Sequence, residues 1–236
     1  MKTKHILFGI FISTIIASCN NSIKGSGVVV TSIRSTPEFT GVISRGSFNV
    51  YLTESPTYEV KIVADDNLVS HIETTVNNGI LTISFKDNIN IRNSARLDIY
   101  ISAPHIERID LEGSGNIETT NKLKAKELML IMNGSGKIVV NDSCETATVQ
   151  LNGSGNITLT GQAKNQTISL SGSGNINASG FATENTIANL SGSGSINVWS
   201  TKSLNAHLSG SGSIFYSGNP DSVTKDLSGS GTIEAR

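Results

Sequence analysis

Cysteine is almost absent from this chain: Cys19 and Cys144 are the only two among 236 residues. Charge is sparse as well. Eighteen Lys and Arg stand against 19 Asp and Glu, a net charge of -1 that provides no basic face for nucleic acid. Proline (4 residues) and aromatics (5%) are also scarce, and a chain so poor in charge and proline does not read as disordered. Beyond the first twenty residues the histidines are His71, His105 and His207, too scattered for a metal site. His207, between Ala206 and Leu208, reads as an outward strand residue. Cys144 has no His near it in sequence and reads as structural. Glu118, Asp142, Glu145 and Glu184 share no common spacing, and Asp65-Asp66 is the single adjacent acidic pair. These absences leave no catalytic set, no metal site and no cofactor to propose.

Long hydrophobic runs are missing too. The longest, Ile6 to Ala17, follows Lys2 and Lys4 and falls short of the roughly 20 apolar residues of a membrane span. A basic start and an apolar run of this length read as a secretory signal. It ends in Ile16-Ala17-Ser18-Cys19, which resembles the bacterial lipobox. The resemblance implies a signal peptide over residues 1–18 and acylation of Cys19, palmitate included, which would anchor the protein without a spanning segment. With Cys19 so used, no intramolecular disulfide is left to form. Asn20 and Asn21 stand where an Asp would resemble an inner-membrane retention signal, so the expected place is the outer membrane, with periplasmic or surface face open. Residues 19–27, polar and containing Gly25-Ser26-Gly27, predict a short flexible tether.

Glycine is what the chain has in excess, and its distribution is ordered. Fourteen of 23 glycines lie in seven copies of Gly-Ser-Gly whose first members are Gly113, Gly134, Gly153, Gly172, Gly192, Gly210 and Gly229. The steps are 21, 19, 19, 20, 18 and 19 residues, the mark of a repeat architecture. Apolar residues alternate on both sides of each corner, as in Val149 and Leu151 before and Ile157 and Leu159 after, which is strand periodicity. Asn, Ser and Thr fill the outward positions, among them Ser171, Ser191, Ser209 and Ser228. A parallel solenoid explains why each residue type keeps its register, since equivalent residues stack about 4.8 Å apart. An antiparallel meander with hairpin corners is the alternative, and it gives no reason for a fixed unit. The expected fold is all-β, a right-handed parallel β-helix (β-solenoid) of about 19-residue coils, since the six-residue pattern of left-handed solenoids is missing. Seven coils would make a rod of about 34 Å. The period and the lack of a repeated Asp separate it from the nine-residue calcium-binding roll.

Residues 28–110 follow another grammar. Strands are expected around residues 47–52, 58–63, 81–85 and 97–101, a tight turn at Asn78-Gly79 and one helical turn within residues 65–71. This β-rich part is expected to cap or continue the solenoid formed by residues 111–236. The C-terminal coil shows no obvious cap, leaving an edge for self-association.

Ala103-Pro104-His105-Ile106-Glu107-Arg108-Ile109 followed by Leu111-Glu112-Gly113-Ser114-Gly115-Asn116-Ile117 and its copies resembles the head GIN domain family. That family is named for auto-transporter adhesins and is frequent in Bacteroides-like bacteria, often as lipoproteins. The resemblance implies a β-helix and extracytoplasmic binding, and it brings no defined binding residues. The expected function is therefore a lipid-anchored, non-catalytic envelope β-helix with adhesin-like binding or scaffolding, its partner a glycan or an envelope protein. A carbohydrate-active β-helix enzyme and a periplasmic assembly or stress module are the alternatives. The candidate polar binding ridge is Ser114, Ser135, Ser154, Ser173, Ser193, Ser211 and Ser230, set against the simpler reading of tight corners with Ser ladders. Asp221-Ser222-Val223 resembles a short O-glycosylation motif, with Ser222 as the acceptor.

Overall fold

The computed structural model describes residues 21–86, 89–92 and 94–236, so the expected signal peptide and Cys19 lie outside the described residues. The first part of the chain forms β1 (Asn21–Lys24), β2 (Val29–Arg34), β3 (Gly41–Gly46), β4 (Asn49–Glu54), β5 (Glu59–Asp65), α1 (Asp66–Val69), β6 (Ile72–Asn77), β7 (Ile80–Phe85), β8 (Ile89–Arg92) and β9 (Leu97–Ala103). The repeats form β10 (Arg108–Gly113), β11 (Asn116–Thr119), β12 (Glu127–Gly134), β13 (Lys137–Gly153), β14 (Asn156–Gly172) and β15 (Asn175–Gly192). The rod is completed by β16 (Ser195–Gly210), β17 (Ser213–Ser217), β18 (Ser222–Gly229) and β19 (Thr232–Ala235).

Every pairing within β10–β19 is parallel, with each repeat lying on the next. This is the solenoid, and it excludes the hairpin meander. Leu111, Met132, Leu151, Leu170, Leu190 and Leu208 stack in register before the corner. Ile117, Ile138, Ile157, Ile176, Ile196 and Ile214 do so after it. None of the twelve is more than 2% exposed, and at about 1.5–3 kcal/mol per buried side chain these columns are the main favourable term for the rod.

The two glycines of a corner serve different ends. Gly172 adopts φ 129°, a backbone that L side chains avoid. Gly174 is needed for space, because a Cβ there would sit 2.5 Å from the Gly155 carbonyl oxygen of the preceding coil.

The N-terminal part both continues and caps this rod. Gly46, with φ 132°, pairs with Gly113, and β3 and β4 run parallel to β10 and β11, so Gly46-Ser47-Phe48 is a further corner of the same kind. Phe48 replaces the second glycine because the layer beneath it, β7 and β9, has no corner of this type to crowd it. Its ring is buried against Phe85, centroids 4.4 Å apart. The β3–β4 coil is thus inserted between strands that follow it in the chain, with β10–β11 on one side and β7–β9 on the other. Below β7 and β9 the pairing turns antiparallel, through β6 on β7 and through β5 on β9 and β2 on β5. The β6–β7 hairpin turns on Asn78 (φ 50°) and Gly79 (φ 74°).

Residues 21–24, within the expected tether, are strand β1, which pairs with β8 in a separate two-stranded sheet. The adjoining Gly25-Ser26-Gly27 is held by the residues that start α1. Asp65 accepts from the Gly27 amide (2.6 Å) and Asn67 donates to the Lys24 carbonyl (2.8 Å). The far end, where every residue of β18 is exposed, carries a different device. Lys225 occupies the interior column of Ala188 and Ala206, donates to the Ile233 carbonyl (3.0 Å) and lies over the Tyr216 ring. An inward-pointing charge of this kind discourages further strand pairing.

Candidate functional site

The corner serines stand where the repeat puts them: Ser114, Ser135, Ser154, Ser173, Ser193, Ser211 and Ser230 are all exposed, beside the column of stacked corner glycines. Their backbone amides do not form an anion nest. The amides of Ser173 and Gly174 both bond to the Gly153 carbonyl, and those of Ser193 and Gly194 to Gly172, so the corner amides are spent along the rod axis. What the ridge offers is hydroxyl groups.

The strand faces beside it carry further neutral polar ladders. Asn152, Ser171, Ser191, Ser209 and Ser228 stack in register and are exposed. Amide side chains also link neighbouring coils, Asn175 to Asn156 at 3.0 Å and Asn185 to Asn165 at 3.0 Å. A shallow groove of about 310 Å³ runs along this face, with Ser171, Ser191 and Ser209 at its walls and Leu170, Leu190 and Leu208 at its floor. One end carries His207, exposed as its strand position requires and 3.4 Å from Asp226. Ser222 is exposed at the start of β18.

Most ionisable groups are dispersed or paired. Glu145 and Glu184, which share no spacing in the sequence, nevertheless line one groove with Lys164 and Cys144 because successive coils stack, and Glu184 pairs with Lys202 there. His71 and His105 lie in the N-terminal part, away from His207, and among the described residues no three His, Cys, Asp or Glu side chains are grouped to hold a metal. Burial pushes the Cys144 thiol up to about 12, with Asp142 adding to it, so the thiol stays protonated at neutral pH and is no nucleophile. Asp142 is itself fully buried and held above the usual carboxylate range by desolvation, despite the amide bond from Ala125.

One constellation escaped the sequence reading: Arg96, Asp98 and Tyr100, alternate residues leading into and along β9. Asp98 accepts from Arg96 Nε at 2.5 Å and from Asn49 Nδ2 at 3.0 Å, and Arg96 Nη2 donates to the Tyr100 hydroxyl at 3.0 Å. Tyr100 stacks on Tyr51, centroids 4.9 Å apart, under Lys61. The i, i+2, i+4 spacing of these three residues was the available signal. Arg96 and Asp98 line a groove together and are engaged with each other.

A family model described as "Putative auto-transporter adhesin, head GIN domain" matches residues 38–220. Among solved structures, the chain is similar to a "putative adhesin" of Bacteroides fragilis, with 28% identity, TM-score 0.86 and coverage of 91% of this chain and 100% of that one. It is also similar to a "Putative lipid binding protein" of Parabacteroides distasonis, at 23% identity and TM-score 0.78, covering 92% of this chain and 100% of that one. A "putative adhesin" of Parabacteroides merdae shares 23% identity at TM-score 0.71, covering 92% and 99%. No curated protein sequence matches the chain.

Proposed function

The chain belongs to the head GIN domain family, and on that premise we propose that it is a lipid-anchored outer-membrane protein whose rod is a non-catalytic, adhesin-like binding face. The observation that carries this reading is the neutral polar ladder system repeated over successive coils. Such a face presents hydroxyls and amides at a regular interval of about 4.8 Å and suits an extended, uncharged partner. A glycan fits it better than a charged protein surface, because the groove floor is apolar and its walls are serines. The Arg96–Asp98 pair in its groove supports a carbohydrate-active alternative, and its engagement with Asn49 and Tyr100 argues for a structural role.

Surface display is testable with a membrane-impermeant lysine reagent, better suited than protease to a rod with few loops. Lys137, Lys164 and Lys202 are exposed on the rod. The expected result is labelling of all three on intact cells. Labelling only after the outer membrane is broken overturns the adhesin reading and assigns the rod to the periplasm.

A further inference from the structure

The N-terminal end of the rod carries an apolar strand that nothing among the described residues covers. Of the nine large hydrophobic side chains exposed among the described residues, four fall within six positions: Val28 (58%), Val29 (42%), Val30 (37%) and Ile33 (68%). They lie on and just before β2, whose only partner among the described residues is β5. Clustered exposed apolar groups mark an interaction surface more often than an accident. On β1, which leads into this segment through Gly25-Ser26-Gly27, and on its partner β8, Lys24 and Arg92 are register neighbours and both are exposed.

Chain length decides what meets this surface. Cys19 precedes β1 by two residue steps, which span at most about 7 Å even when fully extended. From there the chain has no slack. β1 is paired to β8, the Gly25 amide bonds to the Arg92 carbonyl at 3.2 Å, and a Cβ on Gly25 would meet Asp65 and Ser94 at 2.9 Å. Asp65 then fastens Gly27 at 2.6 Å and Ala95 at 2.8 Å, fixing the start of β2 against the α1 end of the cap. An acyl chain on Cys19 would therefore hold this end of the rod at the lipid headgroups.

We propose that β2, with Lys24 and Arg92, is a membrane-contact face, so that the rod stands on the bilayer that carries its anchor instead of swinging on a leash. Valine and isoleucine suit the acyl boundary and the two basic groups suit anionic headgroups. The proposal rests on the lipid-anchor reading of Cys19.

The test uses the full chain produced in a lipoprotein-processing bacterium, with Cys144→Ser and a single new thiol at either Ile33→Cys or Ser230→Cys. Each is labelled with an environment-sensitive fluorophore and reconstituted into vesicles of phosphatidylethanolamine and phosphatidylglycerol containing a doxyl-lipid quencher. The expected result is that emission at position 33 drops below about half of its value without quencher, while emission at position 230 is unchanged. Equal, weak quenching at both positions in protein whose Cys19 is acylated by mass spectrometry overturns the membrane face and leaves the anchor standing. Absence of acyl mass on Cys19 overturns the anchor reading itself. Efficient disulfide formation between two copies through the unlabelled thiol at position 33 assigns the face to a second copy and also overturns the proposal.

Discussion

The repeat rod and the N-terminal cap solve the same problem, the closure of a stack of strands, by opposite means. In the rod one corner is copied seven times, and its stability comes from backbone and shape: glycines that admit the turn, Leu and Ile columns inside, amides bonded coil to coil. In the cap almost nothing is copied. Named side chains do the work, Asp65 holding three amides and Phe48 filling a corner that elsewhere is bare glycine. A repeated element tolerates no bulk at its corners because each is the floor of the next, whereas a terminal element has room for bulk and needs it.

The sharpest way to break this contrast is to exchange corner residues. Phe48→Ala removes a fully buried ring and should cost about 3–5 kcal/mol in chemical denaturation. Gly172→Ala adds a single methyl group and should still cost about 3 kcal/mol, since its φ of 129° is strained for alanine and the added Cβ meets the Gly153 backbone. Were the rod corner to accept alanine at no cost, the distinction between copied and terminal corners would be gone.

Buried carboxylates separate the two regions by pH. Burial raises the Asp65 pKa, but the amides of Gly27, Ala95 and Arg96 outweigh it and hold the group below the usual carboxylate range. Its contribution to the cap is therefore complete above the unfolded value of about 3.9 and is lost as pH falls through the folded value. Asp142 in the rod is shifted upward by burial, so its ionisation opposes folding at neutral pH and protonation relieves it. Amide exchange protection measured by region should show β1 and β2 loosening below about pH 4 while the coils around Asp142 tighten between neutral pH and that point. Asp65→Asn should mimic the acid effect in the cap at neutral pH, at about 2 kcal/mol.

Smaller effects are expected at the rod's far end. Lys225→Leu should change monomer stability by less than about 1 kcal/mol, yet remove the inward charge from an edge where Val223 and Leu227 are already exposed. Size measured across concentrations should then show more association than the native chain shows under the same conditions. Ser173→Ala on the ridge should alter stability by no more than about 0.5 kcal/mol, so any loss of ligand binding in that variant reports recognition.

The rod was legible because its physics is periodic: a 19-residue step, Leu before the corner and Ile after it are enough to place Leu170 over Leu151 and Ile176 over Ile157. The additional corner was hidden by Phe48, since a search for Gly-Ser-Gly cannot see a position where the second glycine is unneeded. Gly25-Ser26-Gly27 read as slack because composition reports only the segment itself, while the side chains that fasten it, Asp65 to Asn67, lie some forty residues away. Lys225 was invisible for a similar reason. Its register against Ala206 is needed to show that a lysine stands in an interior column. The polar ladders were readable as positions, but that their corner amides are consumed along the axis needed coordinates.

The insertion of the β3–β4 coil between β7–β9 and β10–β11 sets a direction on assembly. That coil comes early in the chain, yet its two neighbours arrive only after residues 80–103 and 108–119 have followed. Nothing downstream has a template until this non-sequential layer closes, after which each coil adds to the one before it by local contacts alone. Growth therefore starts at the N-terminal layer and runs along the rod, and loss of structure retraces it from the exposed final coil inward. The rod behaves as a zipper whose starting tooth is the non-sequential layer, with the slow, order-dependent step completed once, at its base.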